Sequence, residues 1–248
     1  MERTGTGPAE VGAVPAGRCR PTARGTISTV TVLPLSPDEL LSTTRSVRKR
    51  LDLNRPVPLE LVRECLDLAL QAPSGSNSQG WHWLIITDPQ TKAGIGELYR
   101  RSTERYLEAG RQRLEAAGAP AADSPEGRAI RRIRDSSAYL GQHMGDVPVQ
   151  VIACIEVPGP WKEGASQAGL WGSLLPAAWS YILACRSRGL GTAWTSLHLA
   201  YEKEAAALLG LPDHVRQGVL IPTAYYTGET FRPAPRRPLD DVLHLNHW

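Results

Sequence analysis

The sequence predicts an α+β layered domain in which helices outnumber strands. Helix-like segments and β-rich segments do not alternate regularly along the chain, which argues against a parallel sheet built from β-α-β units. Residues 148–155 are almost continuously apolar, as expected for a central strand that is covered on both faces. Residues 170–188 predict a helix that is apolar nearly all round and must therefore be buried, either centrally or against another subunit.

The chain of 248 residues is long enough for one sizeable core, so we expect a single domain over residues 36–248. Residues 1–35 are rich in Gly, Pro, Thr, Arg and Ala, and bury too little apolar surface to offset their ordering entropy. We expect them to form a flexible tail, with a basic targeting peptide as the alternative. The net charge is +3, but the tail holds four Arg and two Glu, which leaves the domain at +1. Net charge therefore does not indicate a nucleic-acid-binding face.

The first half of the domain begins with a well-marked helix start. Ser36-Pro37-Asp38-Glu39 combines a capping Ser, a Pro at the first helical position and a Glu three residues after the cap, which predicts a short helix to Thr43. A second helix is predicted from Pro58 to Gln71, and Ala72-Pro73 ends it. A polar loop over residues 73–80 then leads into an aromatic and β-branched strand over residues 81–87.

The second half is predicted to open with two helical segments over residues 90–144, joined irregularly near residues 118–125. A cluster of Arg128, Arg131, Arg132 and Arg134 lies here, and its acidic neighbours favour a solvated helix face over a groove-binding surface. After the apolar strand and helix described above, we expect a strand over residues 192–195, a helix over 201–209, a strand over 215–226 and a Pro-rich tail over 231–248.

The cysteines indicate a reducing compartment. Cys19, Cys65, Cys154 and Cys185 are far apart and form no C-x-x-C pair, so neither a disulfide framework nor a zinc site is predicted. No apolar run approaches the ~20 residues of a membrane helix, and the start of the chain lacks the apolar stretch of a secretory signal. We therefore expect a soluble, cytoplasmic protein.

The common catalytic motifs are missing from the sequence. There is no G-x-S-x-G, no H-E-x-x-H, no Walker-type loop and no G-x-G-x-x-G after a strand. His244 and His247 have the spacing of metal ligands but no third ligand nearby in sequence, so no metal is expected. Two cationic segments remain, Arg45-Ser46-Val47-Arg48 and Arg236-Arg237. Guanidinium groups flanking a hydroxyl are suited to bidentate binding of a phosphate dianion.

Four segments in order resemble the FMN-dependent nitroreductase family, from about Pro37 to the end of the chain. Arg45-Ser46-Val47-Arg48 is similar to the family's Arg-Ser-x-Arg phosphate motif, and residues 72–81 are similar to its Pro-Ser-x-x-Asn-x-Gln-x-Trp loop. Residues 189–195 resemble the strand whose end passes alongside the isoalloxazine ring. Residues 236–244 resemble the C-terminal Arg-x-Pro-Leu-x-x-Val signature. The resemblance implies a central, mostly antiparallel sheet flanked by helices.

The resemblance also implies a set of cofactor-binding residues. Arg45, Ser46, Arg48 and Arg236 would hold the phosphate and ribityl chain of FMN. Asn77 and Gln79 would read the flavin and its ribityl hydroxyls, while the backbone of Pro73, Ser74 and Gly75 would approach the ring closely. Thr195, Ser196 and Leu197 fall where relatives place backbone amides near the hydride-accepting nitrogen. No catalytic side chain is predicted.

The sequence departs from the family pattern at several positions. Thr44 stands where many relatives have another Arg, and Leu51 stands where an aromatic residue is frequent. These two departures imply weaker phosphate binding, for which Arg237 could compensate. The family's second C-terminal phosphate cation would fall on Ala234, which supplies no charge. Relatives are intertwined homodimers with the flavin at the subunit interface, which implies a tail over residues 231–248 that wraps the partner.

The implied activity is NAD(P)H-driven, ping-pong reduction of a nitroaromatic, a quinone or a similar acceptor through FMN. The helices over residues 90–145 would form a lid, with Tyr99, Tyr106 and Tyr139 either contacting substrate or packing the lid onto the core. Three alternatives remain open: an FMN-dependent dehydrogenase or oxidase that passes electrons to oxygen in small-molecule biosynthesis, a reductive dehalogenase, and a flavin-binding or nucleic-acid-binding protein without turnover.

Overall fold

A computed structural model of the protein describes residues 32–157, 159 and 165–248. Residues 1–31, most of the predicted tail, lie outside the described residues. Leu33, at the end of that predicted tail, donates its backbone N–H to the carbonyl of Ser187 at 2.7 Å. The chain just before the first helix is therefore attached to the end of the long apolar helix.

The first two helices begin and end close to where the sequence places them. Helix α1 spans Pro37–Thr43, and Ser36 forms the predicted capping box, since its hydroxyl accepts the Glu39 N–H at 3.2 Å and the Glu39 carboxylate accepts the Ser36 N–H at 2.8 Å. Helix α2 spans Leu59–Ala69. Its buried residues are Leu61, Val62, Cys65, Leu66 and Ala69.

The sheet has four strands in the order β1-β2-β4-β3, and every neighbouring pair is antiparallel. The strands are β1 (Trp81–Ile86), β2 (Val149–Glu156), β3 (Leu190–Thr192) and β4 (Val215–Tyr225). Strand β2 is buried along its whole length except for Glu156, so the prediction of a central, doubly covered strand is confirmed. The α+β class and the antiparallel sheet are also confirmed.

The remaining helices cover this sheet and extend beyond it. Helices α3 (Pro89–Ala117) and α4 (Pro125–His143) pack on each other, and the break between them falls where the sequence predicts it. Helix α5 (Ala165–Ser187) packs on α2 and on the sheet, while α6 (Glu202–Leu209) packs on α3. Gly218 of β4 permits the close approach of α5, because a Cβ at this position would lie 2.5 Å from a methyl carbon of Leu174.

Two sequence-based expectations need correction. Strand β3 begins at Leu190 and ends at Thr192, so the predicted strand over residues 192–195 is misplaced. After Thr192 the chain leaves β4, and only Thr195 returns to it through a single bridge with Leu220. The second expectation, that no apolar run is long enough for a membrane helix, is wrong. Helix α5 begins at Ala165, and its residues Gln167–Ser187 are long and apolar enough to cross a membrane, with mean hydropathy 1.2. A core helix passes the same test, and α5 packs in the core.

Candidate functional site

The segment over residues 45–51 is held against the edge of the sheet. Ser46 forms a parallel bridge with Thr192, and the Val47 N–H donates to the Thr192 carbonyl at 2.8 Å. Val47 is buried between its neighbours, so Ser46 and Arg48 point the other way, as alternate residues of an extended chain do. Gly191 makes this contact possible, because a Cβ there would lie 3.1 Å from the Val47 Cβ. The second glycine of Gly189-Leu190-Gly191 thus permits close approach of the Arg-Ser-x-Arg segment.

A cavity of about 350 Å³ lies beside this segment and is lined by four predicted cofactor-binding residues; we call it the arginine cavity. Arg45, Ser46, Arg48 and Arg236 all line it, although Arg236 is almost two hundred residues away in sequence. Its other walls are formed by Thr44, Trp179, Ile182, Thr192 and Trp194. The lining contains no carboxylate, and the three arginines form no ion pair within the described part of the chain. Three uncompensated guanidinium groups beside aromatic walls suit an anionic ligand with a planar ring.

The chain that carries Arg236 is fixed by a stack of two rings and two guanidinium groups. The rings of Tyr226 and Phe231 lie 4.8 Å apart. The guanidinium carbons of Arg50 and Arg186 lie 4.3 Å and 5.0 Å from the Phe231 centroid. Arg50 also donates to two main-chain carbonyls of residues 227–230, at 2.6 Å and 3.0 Å. The turn after β4 is therefore tied to the Arg-Ser-x-Arg segment and to α5.

The predicted flavin-reading loop over residues 73–80 is a separate, exposed feature. The Gly75 N–H donates to the Ser173 hydroxyl of α5 at 2.8 Å, and the Gln79 amide donates to the Asn77 side-chain oxygen at 3.1 Å. Three of the four residues 76–79 adopt the left-handed backbone conformation: Ser76 (φ 51°), Asn77 (φ 54°) and Gln79 (φ 49°). Such strain is concentrated at functional sites. Pro73, Ser74, Gly75, Asn77 and Gln79 do not line the arginine cavity.

The third group of predicted residues lies between the sheet and the helix α3. Thr195 uses its backbone N–H and carbonyl in the bridge to Leu220, at 3.1 Å and 2.8 Å. The Leu197 carbonyl accepts the Ser102 hydroxyl at 2.6 Å, and the Leu197 N–H lies 3.5 Å from the Thr195 hydroxyl oxygen. Ser196 is exposed, and its N–H has no partner among the described residues. Of the three amides, that of Ser196 is the one free to bind a ligand.

The helices predicted to form a lid place their tyrosines in three different environments. Tyr99 is buried in the core and its hydroxyl bonds with that of Thr195 at 3.1 Å, so it packs α3 onto the sheet. Burial raises the pKa of Tyr99, although the hydrogen bond to Thr195 and the charge of Arg48 oppose the shift. Tyr106 is exposed, and Tyr139 packs on the ring of His143.

The arginine cluster of α4 binds its own connection. Arg131 donates to the Ala122 carbonyl at 2.7 Å, and Arg128 donates to the Asp123 carbonyl. Both carbonyls belong to the segment between α3 and α4. These two arginines therefore stabilise the joint between the helices, a role that the sequence did not reveal because it depends on the fold of the connection.

We expect Tyr99→Phe to destabilise the fold by about 1 kcal/mol, because it removes the hydrogen bond to Thr195 and leaves that hydroxyl short of a partner. Urea unfolding of the wild type and the variant measures the difference. Tyr106→Phe is the matched control, since Tyr106 is exposed and its loss of a hydroxyl should change stability by less than about 0.5 kcal/mol. Equal stability of the two variants would contradict the assignment.

Several cavity residues were not identified from the sequence. Trp179 and Ile182 lie three residues apart on α5 and so share one face, and Trp179 is 40% exposed although it is a large aromatic residue. Trp194 lies within the segment over residues 189–195, next to the predicted cofactor-binding residue Thr195. Thr44 lines the cavity and donates its hydroxyl to the Leu40 carbonyl at 2.5 Å, whereas Arg237 does not line the cavity. Because Thr44 stands where many relatives have another arginine, the positive charge of the cavity comes from Arg45, Arg48 and Arg236.

Comparison with known proteins identifies the family. The model of the nitroreductase family matches residues 41–225, so the chain belongs to this family and the sequence-based resemblance is confirmed. An NADH dehydrogenase of Thermus thermophilus is 30% identical over 213 residues, which cover 80% of this chain and 90% of the relative.

Two solved structures illustrate the range of similar folds. The crystal structure of an oxidized iodotyrosine deiodinase bound to FMN and 3-iodo-L-tyrosine has a TM-score of 0.60 at 21% identity, and the match covers 85% of this chain and 98% of that one. An FMN and NADPH-dependent nitroreductase from sphigopyxis sp. strain HMH has a TM-score of 0.58 at 22% identity, with 86% and 100% covered. These similarities establish a nitroreductase-like fold.

Proposed function

We propose that the protein is an FMN-dependent oxidoreductase that takes hydride from NAD(P)H and reduces a nitroaromatic, a quinone or a similar acceptor by a ping-pong mechanism. The observation that carries the proposal is the convergence of Arg45, Ser46, Arg48 and Arg236 on one aromatic-walled cavity without a carboxylate. The names of the relatives, an NADH dehydrogenase and an FMN and NADPH-dependent nitroreductase, support the same class of chemistry.

The donor set fits the phosphate end of FMN. A phosphate monoester carries about two negative charges at neutral pH, and two or three guanidinium groups in a partly buried site balance it. Ser46 supplies a hydroxyl between the arginines, and Trp179 and Trp194 supply apolar wall. When bound, FMN supplies the hydride chemistry, while the protein orients the cofactor and excludes water around it.

The titratable groups of the core agree with a mechanism that uses no protein nucleophile. Burial raises the pKa of the Cys154 thiol to about 12 and raises that of the Cys185 thiol as well, so both remain protonated at neutral pH. Burial also raises the pKa of Tyr181.

We further propose that the protein is cytoplasmic, because Cys65, Cys154 and Cys185 are all free and buried thiols.

We propose a homodimer in which the loop over residues 73–80 completes the cavity of the partner subunit. Within one chain this loop is exposed and contributes nothing to the arginine cavity. Large apolar side chains are also exposed on α1, on α2 and the residue after it, on α5 and on the tail: Leu41, Leu68, Leu70, Trp179, Leu239, Val242, Leu243, Leu245 and Trp248. A second copy of the chain would cover such surfaces.

A shared site has a direct test by complementation. We expect Arg48→Ala and Asn77→Gly homodimers each to lose flavin, since each change damages both sites. A heterodimer of the two variants, isolated with two different affinity tags, should regain about one flavin per dimer, because one site is then intact and the other carries both changes. Flavin content is read from the visible absorbance. A heterodimer as empty as its parents would contradict the shared site.

The first experiment on activity is an absorbance spectrum of the purified protein, followed by anaerobic addition of NADPH and then of NADH. We expect a flavin spectrum that bleaches within seconds of adding at least one of the two donors. A flavin spectrum that neither donor changes would favour the oxygen-dependent dehydrogenase. A protein that binds no FMN on reconstitution would overturn the cofactor assignment.

Reductive dehalogenation is a second candidate, favoured by the likeness to the FMN-bound iodotyrosine deiodinase. It uses the same cofactor cavity and differs only in the acceptor. Parallel turnover assays with a nitrofuran, a quinone and 3-iodo-L-tyrosine distinguish the two, because a dehalogenase releases iodide while a nitroreductase consumes the nitro compound.

A further inference from the structure

A second cationic cavity adjoins the arginine cavity and shares two of its three arginines. It has a volume of about 450 Å³ and is lined by Arg45, Ser46, Val47, Arg48, Lys49, Arg50, Ser136, Thr230, Phe231 and Arg232. The two cavities therefore share one wall, which is formed by Arg45, Ser46 and Arg48. The second cavity lies between the Arg-Ser-x-Arg segment, the helix α4 and the turn after β4.

The charge of this second cavity is unbalanced. Its lining contains five cationic side chains and no carboxylate, and within the described residues none of the five forms an ion pair. The proposed FMN phosphate would engage Arg45 and Arg48 together with Arg236 from the first cavity. Lys49, Arg50 and Arg232 belong to the second cavity alone, so their charge is left without an anion.

One of these three cations is built into the fold. Arg50 is held by two main-chain carbonyls and lies over the ring of Phe231, so its guanidinium group is fixed before any ligand arrives. Lys49 and Arg232 are exposed and free to move onto a ligand. Ser136 and Thr230 add hydroxyl groups to the wall. The cavity is far larger than one phosphate ion, so an organic body is expected beside the anion.

We propose that this second cavity binds a second phosphoryl group, carried by the phosphorylated adenosine half of a dinucleotide. This inference rests on the proposed function, which places the first phosphoryl group, that of FMN, on the other side of Arg45 and Arg48. Two sources have the required chemistry: the adenosine phosphate end of the nicotinamide donor, and the adenosine phosphate half of FAD. Either source would add negative charge where the lining supplies only positive charge.

The test compares the wild type with a Lys49→Ala, Arg232→Ala double variant of the full chain. Both residues are exposed and belong to the second cavity alone, so folding and FMN binding should be retained. Titration of the FMN-loaded protein with adenosine 2′,5′-bisphosphate probes the donor as the source, and titration of the flavin-free chain with FAD probes the cofactor. We expect the double variant to bind one of these probes about tenfold more weakly, with FMN affinity changed less than about twofold.

The control is Arg237→Ala, which removes an exposed arginine of the same tail that lines neither cavity. It should leave all three affinities unchanged. Weaker binding of adenosine 2′,5′-bisphosphate identifies the donor as the source, and weaker binding of FAD identifies the flavin. The inference is overturned if both probes bind the wild type and the double variant equally. Failure of the flavin-free chain to bind FMN is a different result, which overturns the proposed function; the bisphosphate titration is then made on the flavin-free wild type and double variant.

Discussion

Arg48→Ala is expected to release flavin from the purified protein. Arg48 is half-buried and lines both cationic cavities, and no carboxylate in the described residues pairs with it. Removing one charge-assisted contact to a phosphate costs roughly 1.5–3 kcal/mol, which corresponds to a loss of affinity of roughly ten- to a hundredfold. Fluorescence titration of the flavin-free chain with FMN measures the change, since free flavin and bound flavin differ in emission.

The matched control for Arg48→Ala is Arg237→Ala. Arg237 lies next to Arg236 in the tail, but it lines neither cavity, so its removal should leave FMN affinity within about twofold of the wild type. The comparison separates a specific contact from a general loss of positive charge. If Arg48→Ala purified with full flavin occupancy, the phosphate assignment would be wrong.

The fold was largely predictable because its elements follow local rules. The capping box at Ser36, the Pro at the start of three helices and the apolar run of β2 each depend on residues close together in sequence. Strand β3 was misplaced for the opposite reason. The pairing of β3 with β4 stops at Thr192, and where it stops depends on a partner strand about thirty residues away in sequence. The β propensities of residues 190–195 do not differ enough to mark the end of β3.

The site was predictable only in part. The pattern Arg-Ser-x-Arg can be read from sequence because guanidinium groups around a hydroxyl suit a phosphate, and Arg236 followed from its family motif. Trp179 and Trp194 enter the same cavity through the packing of α5 and the turn after β3, for which the sequence carries no local signal. The second cavity cannot be predicted from sequence for a related reason. Its cations Lys49, Arg50 and Arg232 have the local pattern of solvated surface charges, and only the turn after β4 brings them together.

The stability of the protein is expected to fall as the pH drops from about 6.5 towards 4 because of His198. This ring is fully buried, neither of its nitrogens has a hydrogen-bond partner in the described residues, and burial lowers its pKa from 6.5 to about 4. Between these two values the unfolded chain binds a proton that the folded protein does not. The stabilising contribution is therefore present above pH 6.5 and is lost as the pH falls to about 4.

The size of this effect follows from the difference between the two pKa values, at roughly 1.4 kcal/mol for each pH unit, and amounts to about 3 kcal/mol. Urea unfolding of the wild type and of His198→Phe near pH 7 and near pH 4 measures it, because the phenylalanine cannot be protonated and other titrating groups affect both proteins alike. We expect the wild type to lose about 3 kcal/mol more than the variant. His247→Phe is the control, since His247 is exposed and its replacement should leave the wild-type pH dependence in place. Parallel pH profiles for the wild type and His198→Phe would mean that water or a rearranged partner reaches the His198 ring in the folded protein.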